Sequence, residues 1–304
     1  MKSFKNYSEK LGNNFLLCQG PGGNTSIKLK ENIFIKKSGS LLKNSVNKDI
    51  FKKINLNDIE HFYSSTIKNN EKYENSLSIE TPFHVLLQSK YVIHYHSISS
   101  ILLSCLYQKS ALNQFLIKNK ILPINYVRPG IEIADEILNK NKKYNFKSFF
   151  LYNHGIILEG NNIKKLYYKC IELEKLFSNL IDYDELKITS KEIFKLSQNE
   201  KKIKNPHPEI NYKNFNGKYL FPDHSVFFPH FFESKKDKKN SIFYDENYFL
   251  FEKDLSRTEL DYFKVLLIIF GLIKNNKIHN FINKDLGERL RQSPDEKLRI
   301  GVNL

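Results

Sequence analysis

Tyr91-Val92-Ile93-His94-Tyr95-His96 is the stretch on which the fold and the chemistry of this chain depend. It is an apolar run that ends in two histidines, and it predicts a buried β-strand. Alternate side chains of a strand point to the same face, so His94 and His96 project together. Two adjacent neutral imidazoles can chelate a divalent ion such as zinc. On its own, such a pair is more often two strand histidines hydrogen-bonded to backbone. The choice between a structural pair and a metal site therefore depends on the flanking segments.

The composition of the 304 residues excludes several classes of protein. Hydrophobic residues make up 40% and aromatic residues 13%, which is too much for a disordered chain. The formal net charge is +15, but nearly all of the positive charge is lysine spread along the chain. Nucleic-acid readers depend on arginine for bidentate contacts. We therefore expect no nucleic-acid partner and an attraction for small anionic substrates such as sugar phosphates.

The cysteines and the apolar runs indicate a soluble, cytoplasmic protein. Cys18, Cys105 and Cys170 are odd in number and far apart, which predicts reduced thiols. Residues 1–17 show no secretory signal. The longest apolar run, residues 265–273, is about half of the roughly 20 residues that a membrane span needs. We expect no membrane partner.

Two glycine-rich turns precede the histidine strand. The first is Gly20-Pro21-Gly22-Gly23-Asn24-Thr25-Ser26, and an alternating hairpin after it leads to Ser38-Gly39-Ser40. Backbone N–H groups that converge in such turns, with hydroxyls and lysines nearby, can hold a phosphate. Each turn alone is more often a simple chain reversal. The lack of a GxxxxGK[ST] motif argues against a nucleoside triphosphate.

Three further segments carry chemistry-bearing residues. Ser78-Ile79-Glu80-Thr81-Pro82 opens a helix, and an acid in a first helical turn is usually solvated and favoured by the helix dipole. Asn153-His154-Gly155 is a turn between two apolar runs, where a histidine needs partners. Pro222-Asp223-His224 begins a later apolar segment. His224 is predicted to be structural, and the alternative is that it completes the active site of a neighbouring subunit.

Taken in this order, the segments resemble the class II aldolase and adducin superfamily, and the resemblance covers residues 20–180. It is strongest to the long, rhamnose-utilisation-type (rhamnulose-phosphate aldolase-like) members. The resemblance implies an α/β protein, a three-layer α/β/α fold with a mostly antiparallel central sheet, and a homo-oligomer, most often a tetramer. We expect a catalytic domain over residues 1–184, a polar connector over 185–218 and a C-terminal α+β extension over 219–304.

The same resemblance implies the site. His94, His96 and His154 would bind Zn²⁺ or another divalent metal, and Glu80 would be the catalytic acid/base, with a pKa raised by burial. Ile79 stands where many phosphate-specific relatives carry a second serine, which weakens the phosphate assignment. The substrate phosphate would lie against Gly23, Asn24, Thr25, Ser38, Gly39 and Ser78, with Lys28 and Lys36 as weaker candidates.

These residues predict a lyase of carbohydrate metabolism. It would be a metal-dependent aldolase that cleaves or forms a carbon–carbon bond in a small ketose, which we expect to be phosphorylated. Three histidines leave a catalytic metal with open positions, and the ion would stabilise the enediolate left when the bond breaks. One alternative is a sugar-phosphate epimerase or dehydratase that uses the same site. Another is a non-catalytic, adducin-like interaction module, which the retained histidines and Glu80 disfavour.

Overall fold

A computed structural model describes residues 1–58, 77–181, 202–215, 217–228, 242–244, 247–251, 254–274 and 276–293, and the single positions 186, 191, 193, 194, 196 and 296. Seven strands of the N-terminal part form one sheet in the order β3-β2-β1-β4-β7-β6-β5. Every neighbouring pair is antiparallel except β5 and β6. The strands are β1 Asn24–Leu29, β2 Asn32–Lys36, β3 Phe51–Asn55, β4 Tyr91–Tyr95, β5 Leu122–Ile124, β6 Ser148–Leu151 and β7 Gly155–Gly160.

The histidine strand, β4, is the central strand of this sheet. Side chains alternate between the two faces of β4, so the strand contributes to two separate cores. Ile93 and Tyr95 belong to one buried cluster, and Val92 belongs to another. Helices cover both clusters, so the prediction of an α/β/α fold with a mostly antiparallel sheet is confirmed. The helices of this part are α1 Lys2–Gly12, α2 Thr81–Leu86, α3 Ile98–Leu106, α4 Lys109–Lys118, α5 Ile131–Asn141 and α6 Ile163–Ser178.

A C-terminal extension follows the sheet domain. Its main helix begins with a capping box between Ser256 and Glu259 and is buried along nearly its whole length. None of the helices in the described parts of the chain is both long and apolar enough to span a membrane. The elements are β8 Lys202–Lys204, β9 Lys218–Tyr219, α7 Pro222–Phe227, β10 Ile242–Tyr244, β11 Tyr248–Phe251, α8 Arg257–Ile273, β12 Ile282–Asn283 and α9 Lys284–Arg291.

The stretch predicted to be a polar connector, 185–218, contributes to the packing of this extension. β8 pairs with β11 in a three-stranded sheet. Ile203, Ile210 and Tyr212 are buried in the same apolar cluster as α8. The lysines of β8 lie on its exposed face, so a polar composition here reflects one solvated side of a strand. Where the domains begin and end stays a prediction.

Candidate metal centre and active site

Four buried side chains meet at the end of β4. Each offers one ligand atom, and the four atoms lie within 4.8 Å of one another; the residues are Glu80, His94, His96 and His154. One carboxylate and three imidazoles form a donor set that suits a divalent metal ion. The fold therefore brings together the three predicted metal ligands and the predicted acid/base from separate segments of the chain.

The sheet positions the three histidines. β4 pairs antiparallel with β7, with His94 opposite Ile157. This register places His154, the residue just before β7, next to the end of β4, where His96 lies. Glu80 comes from a different layer, as the N-cap residue of α2.

Backbone contacts decide which nitrogen of His94 carries hydrogen. Its Nδ1 lies 3.0 Å from the carbonyl oxygen of Ile156, and because a carbonyl only accepts, Nδ1 is the donor. In the neutral form of the ring, which is the form that binds a metal, Nε2 of His94 therefore carries the lone pair. That atom lies 3.2 Å from Oε1 of Glu80 and 3.1 Å from Nε2 of His96.

His96 has the same orientation of its ring. Its Nδ1 lies 3.2 Å from Oδ2 of Asp223, and the negative carboxylate favours the neutral ring with hydrogen on Nδ1 and the lone pair on Nε2. In these neutral, metal-binding tautomers, two lone pairs and Oε1 of Glu80 face one another in a buried space. Oε1 has no hydrogen-bond partner among the described residues. A cation among these atoms removes their repulsion, so the residues present fit a bound divalent metal.

The charge state of Glu80 differs from the expectation. Burial alone raises the pKa of Glu80, but the adjacent His94 and His154 outweigh burial, and the pKa lies well below its usual value. Glu80 is therefore an ionised carboxylate, ready to accept a proton. Burial lowers the pKa of His154 to about 4, against the raising effect of Glu80, so this imidazole is neutral at pH 7 and available as a ligand.

A single cavity joins the cluster to both glycine turns. Lys36 is buried beside it, and its Nζ donates hydrogen bonds to the carbonyl oxygens of Pro21 and Ser40, each at 2.9 Å. One lysine thus ties the two turns together and puts a positive charge beside the cavity. The cavity is lined by Pro21, Gly22, Gly23, Asn24, Lys36, Ser38, Gly39, Ser78, Ile79, Glu80, His96, Pro129, His154, Pro222, Asp223 and Glu296.

Residues 7–181 match the family model described as the class II aldolase and adducin N-terminal domain. The chain belongs to the class II aldolase and adducin family. No curated protein sequence matches the chain significantly.

Three solved structures are similar to part of this chain. The N-terminal class II aldolase domain of a conserved Thermoplasma acidophilum protein is 23% identical, covering 58% of this chain and 91% of that one, with a TM-score of 0.48. The l-fuculose-1-phosphate aldolase from Thermus thermophilus is 17% identical, with coverages of 59% and 91% and a TM-score of 0.43. A sugar-phosphate aldolase from Thermotoga maritima is 14% identical, with coverages of 59% and 92% and a TM-score of 0.45.

In this member of the class II aldolase and adducin family, two residues predicted for the phosphate site lie away from the cavity. Thr25 points to the opposite face of β1 from Asn24, and its hydroxyl lies 2.7 Å from that of Ser8. Lys28 lies further along β1, where its Nζ donates to the carbonyl oxygens of Val85 and Leu87. Neither side chain lines the cavity. Side chains alternate between the two faces of a strand, so Thr25 points away from the cavity, and Lys28 lies too far along β1 to reach it.

His224 is a core residue of the extension. It is 2% exposed, and its Nδ1 accepts a 3.1 Å hydrogen bond from the backbone N–H of Leu220. Burial lowers the pKa of His224 to about 3. Its neighbour Asp223 lines the cavity, although no sequence pattern identified Asp223 as a site residue. The one available indication was an acid in an otherwise apolar segment.

Proposed function

We propose that this protein is a metal-dependent aldolase, a lyase that acts on a small ketose phosphate. The observation that carries the proposal is one cavity that is lined both by Glu80, His96 and His154 of the cluster and by residues of the two glycine turns. A metal centre and an anion site that share one cavity suit a substrate that has a carbonyl group near a phosphate. Family membership alone would not define a reaction.

The metal ligands of the proposed enzyme are His94, His96 and His154, whose neutral imidazoles favour Zn²⁺ or a similar divalent ion. When bound, the ion would supply Lewis acidity toward the carbonyl and adjacent hydroxyl oxygens of the ketose. Burial of the three rings excludes water from their side of the site, which strengthens every charge interaction there.

Glu80 moves the proton in the proposed reaction. Asn24 donates a 2.6 Å hydrogen bond to Oε2 of Glu80, while Oε1 faces the histidines. The carboxylate is ionised and fixed in position, so it can accept a proton from the carbon beside the substrate carbonyl and return it to the enediolate. In the cleavage direction, the Glu80 carboxylate would accept the proton of the hydroxyl whose carbon becomes the aldehyde. The electrons of the broken carbon–carbon bond then form the enediolate, and the proton is returned to the enediolate carbon.

The glycine turns hold the phosphate in the proposed complex. Gly23 and Gly39 adopt positive φ, at 68° and 70°, a conformation that exposes backbone N–H groups in tight turns. The Ser38 and Ser78 hydroxyls add donors, and Lys36 adds charge. Anchoring the phosphate would orient the carbonyl toward the metal ligands and Glu80.

Two other functions are less well supported by the same observations. An epimerase or dehydratase would employ the same proton transfer at Glu80. An adducin-like interaction module would have no need for four buried ligand groups in one cluster. The rhamnose-utilisation-type specificity, the homotetramer and the cytoplasmic location stay predictions of the sequence.

The deciding experiment measures metal content and proton exchange together. Metal bound to the purified protein is determined by mass spectrometry, and deuterium exchange into dihydroxyacetone phosphate is followed by NMR with and without chelator. Chelator-sensitive exchange, with cleavage of rhamnulose 1-phosphate or fuculose 1-phosphate, supports the aldolase. Bound metal without exchange would favour the epimerase or dehydratase. A protein that has no affinity for divalent metals would overturn the proposal.

A variant pair tests the site itself. His94→Ala removes a central ligand, and we expect it to lose bound metal and exchange. His279→Ala is the matched control, because His279 is a partly exposed histidine outside the cluster. Normal metal content in His94→Ala would contradict the assigned site.

A further inference from the structure

We propose that Asp223, in the C-terminal extension, is a positioning residue for the metal ligand His96, so that the extension completes the metal centre of the aldolase domain. The inference rests on the proposed function in one respect, since it takes the buried cluster to be a metal site. It adds a residue from outside the stretch, 7–181, that matches the family.

The contact is direct and fully buried. Asp223 is 0% exposed, and its Oδ2 lies 3.2 Å from Nδ1 of His96. The other nitrogen of the same ring, Nε2, faces His94 in the cluster. One carboxylate therefore touches the outer edge of a ring whose inner edge belongs to the metal centre.

A carboxylate in this place has a defined effect on a histidine ligand. It keeps hydrogen on Nδ1, so that the lone pair stays on Nε2, and it holds the plane of the ring. It also increases the basicity of Nε2, because the negative charge stabilises positive charge that develops on the ring. His94 obtains the same orientation from the carbonyl oxygen of Ile156. His96 lies just beyond the end of β4, and its ring takes this partner from the extension.

Packing fixes the position of Asp223. Val226 and Phe227, on the same short helix α7, lie in one apolar cluster with Ile98 and Ile101 of α3. α3 begins two residues after His96. The acid and the histidine are thus attached to elements that share one core, which leaves little freedom for the contact to open.

A second connection ties the extension to the turn that carries His154. Asn153 has a positive φ of 53°, and its side-chain amide donates 3.1 Å hydrogen bonds to the carbonyl oxygens of Leu220 and Asn280. The loop just before α7 is therefore bonded to the residue next to a metal ligand. The extension contacts the metal centre on two sides.

Gly22 makes room for the contact. A Cβ atom at this position would lie 2.8 Å from Nδ1 of His96 and 3.1 Å from the hydroxyl of Tyr262 in α8. Any side chain on Gly22 would press on the edge of the ring that Asp223 touches. The glycine turn and the extension thus enclose His96 together.

The test measures zinc affinity of the metal-free protein by competition with a chromogenic chelator. We expect zinc binding to weaken about 10- to 100-fold in Asp223→Ala. Asp223→Asn has the same shape without the charge, and we expect a loss of about tenfold, so this variant decides the question if Asp223→Ala does not fold. Glu259→Gln is the control, because Glu259 is a buried acid of the extension that lies outside the cavity lining and accepts a hydrogen bond from the Ser256 backbone N–H in the capping box of α8; we expect its zinc affinity to stay within about twofold of wild type.

A second measurement reads the ring directly. Long-range ¹H–¹⁵N spectra of the metal-free protein should show hydrogen on Nδ1 of His96 in wild type and a shift toward Nε2 in Asp223→Ala. Unchanged affinity and tautomer in both Asp223 variants would overturn the inference alone. Equal weakening in Glu259→Gln would also overturn it, because total charge would then explain the effect. A wild-type protein with no zinc affinity would overturn the metal centre as well.

Discussion

His84 and Asn24 are hydrogen-bonded side chain to side chain, and this contact decides which end of the Asn24 amide faces Glu80. The Nε2 of His84 bonds to Oδ1 of Asn24, and Nδ1 of His84 lies 2.8 Å from the hydroxyl of Ser26. Burial lowers the pKa of His84, so the ring is neutral and has one N–H to donate. The amide nitrogen of Asn24 is left to donate to Glu80.

We predict that Asn24→Asp slows exchange or cleavage about 10- to 100-fold. The substitution keeps the shape but replaces the donor to Oε2 of Glu80 with a carboxylate oxygen, and a hydrogen bond to a charged group contributes about 1.5–3 kcal/mol. The rate is measured by NMR with saturating substrate. Asn161→Asp, at an exposed position, is the control. Equal rates in wild type and Asn24→Asp would show that Asn24 does not hold Glu80.

A second prediction concerns the phosphate. Lys36→Met removes the buried charge that bridges the glycine turns, so we expect KM for a ketose phosphate to rise about tenfold or more, with a smaller change in kcat. Inorganic phosphate should inhibit the wild type better than the variant.

Lys37→Met is the matched control for this change. Lys37 is the next residue, and its Nζ pairs at the surface with Asp49 at 3.2 Å, which contributes little. We expect its KM to equal that of wild type. A rise in KM in both variants would point to a general effect of net charge, and no rise in Lys36→Met would exclude this lysine from phosphate binding.

A third prediction concerns Gly155, the first residue of β7. A Cβ atom on Gly155 would overlap the carbonyl oxygen of Tyr95 in the central strand. A shift of the backbone there would disturb the pairing of β4 with β7 and would cost free energy. We expect Gly155→Ala to lower the free energy of unfolding by about 1–3 kcal/mol and to reduce metal content. Gly160→Ala, at the other end of β7, meets only the flexible side chain of Leu166 at 3.3 Å or more. In chemical denaturation, the free energy of unfolding of Gly155→Ala should be well below that of Gly160→Ala.

The cysteines provide a fourth prediction. Cys18, Cys105 and Cys170 are free and buried, and burial raises the pKa of the Cys18 thiol to about 12 and that of the other two as well. Thiols that are both protonated and inaccessible do not react. A chromogenic thiol reagent at pH 8 should therefore detect no thiol in the native protein and all three after denaturation. Rapid reaction of a native thiol would contradict this burial.

The fifth prediction is a pH effect at Lys28. Burial lowers the pKa of Lys28 from 10.5 to about 8, so between pH 8 and 10.5 the unfolded chain holds this proton more tightly than the folded chain does. Stability due to Lys28 should therefore rise with pH across that window. Lys28→Met should remove the rise, as measured by urea denaturation at pH 7.5, 9 and 10. A slope identical to that of wild type would contradict the shifted pKa.

The sequence indicated the strand and the helix start that carry site residues, because the order of apolar and polar residues within each short segment predicts them. The apolar run before His94 predicted β4, and period-two alternation put His94 and His96 on one face. Pro82 and the small polar residues around it predicted a helix start, which the structure places at Thr81. The structure places Thr25 on the other face of β1, since Asn24 and Ser26 bond to His84 whereas the Thr25 hydroxyl lies against Ser8 of α1.

The relation between Asp223 and His96 could not be predicted in this way. The two residues are far apart in the chain, and no periodicity or turn motif links them. Their contact depends on how the apolar cluster of α3, α7 and α8 packs, and packing of this kind is nonlocal. The lowered pKa of Glu80 has the same origin, because it depends on the distances to His94 and His154.

The sequence by itself determined the strand with its two histidines on one face, because strand alternation acts over a few residues. The α/β/α class and the candidate roles of Glu80 and His154 came from the resemblance of the ordered motifs to a known family. Only the tertiary structure decided that Asp223 contacts His96, that Lys36 bridges the two turns and that Lys28 and Thr25 lie away from the cavity. Those outcomes depend on distances between segments, and such distances are set by the packing of the whole core.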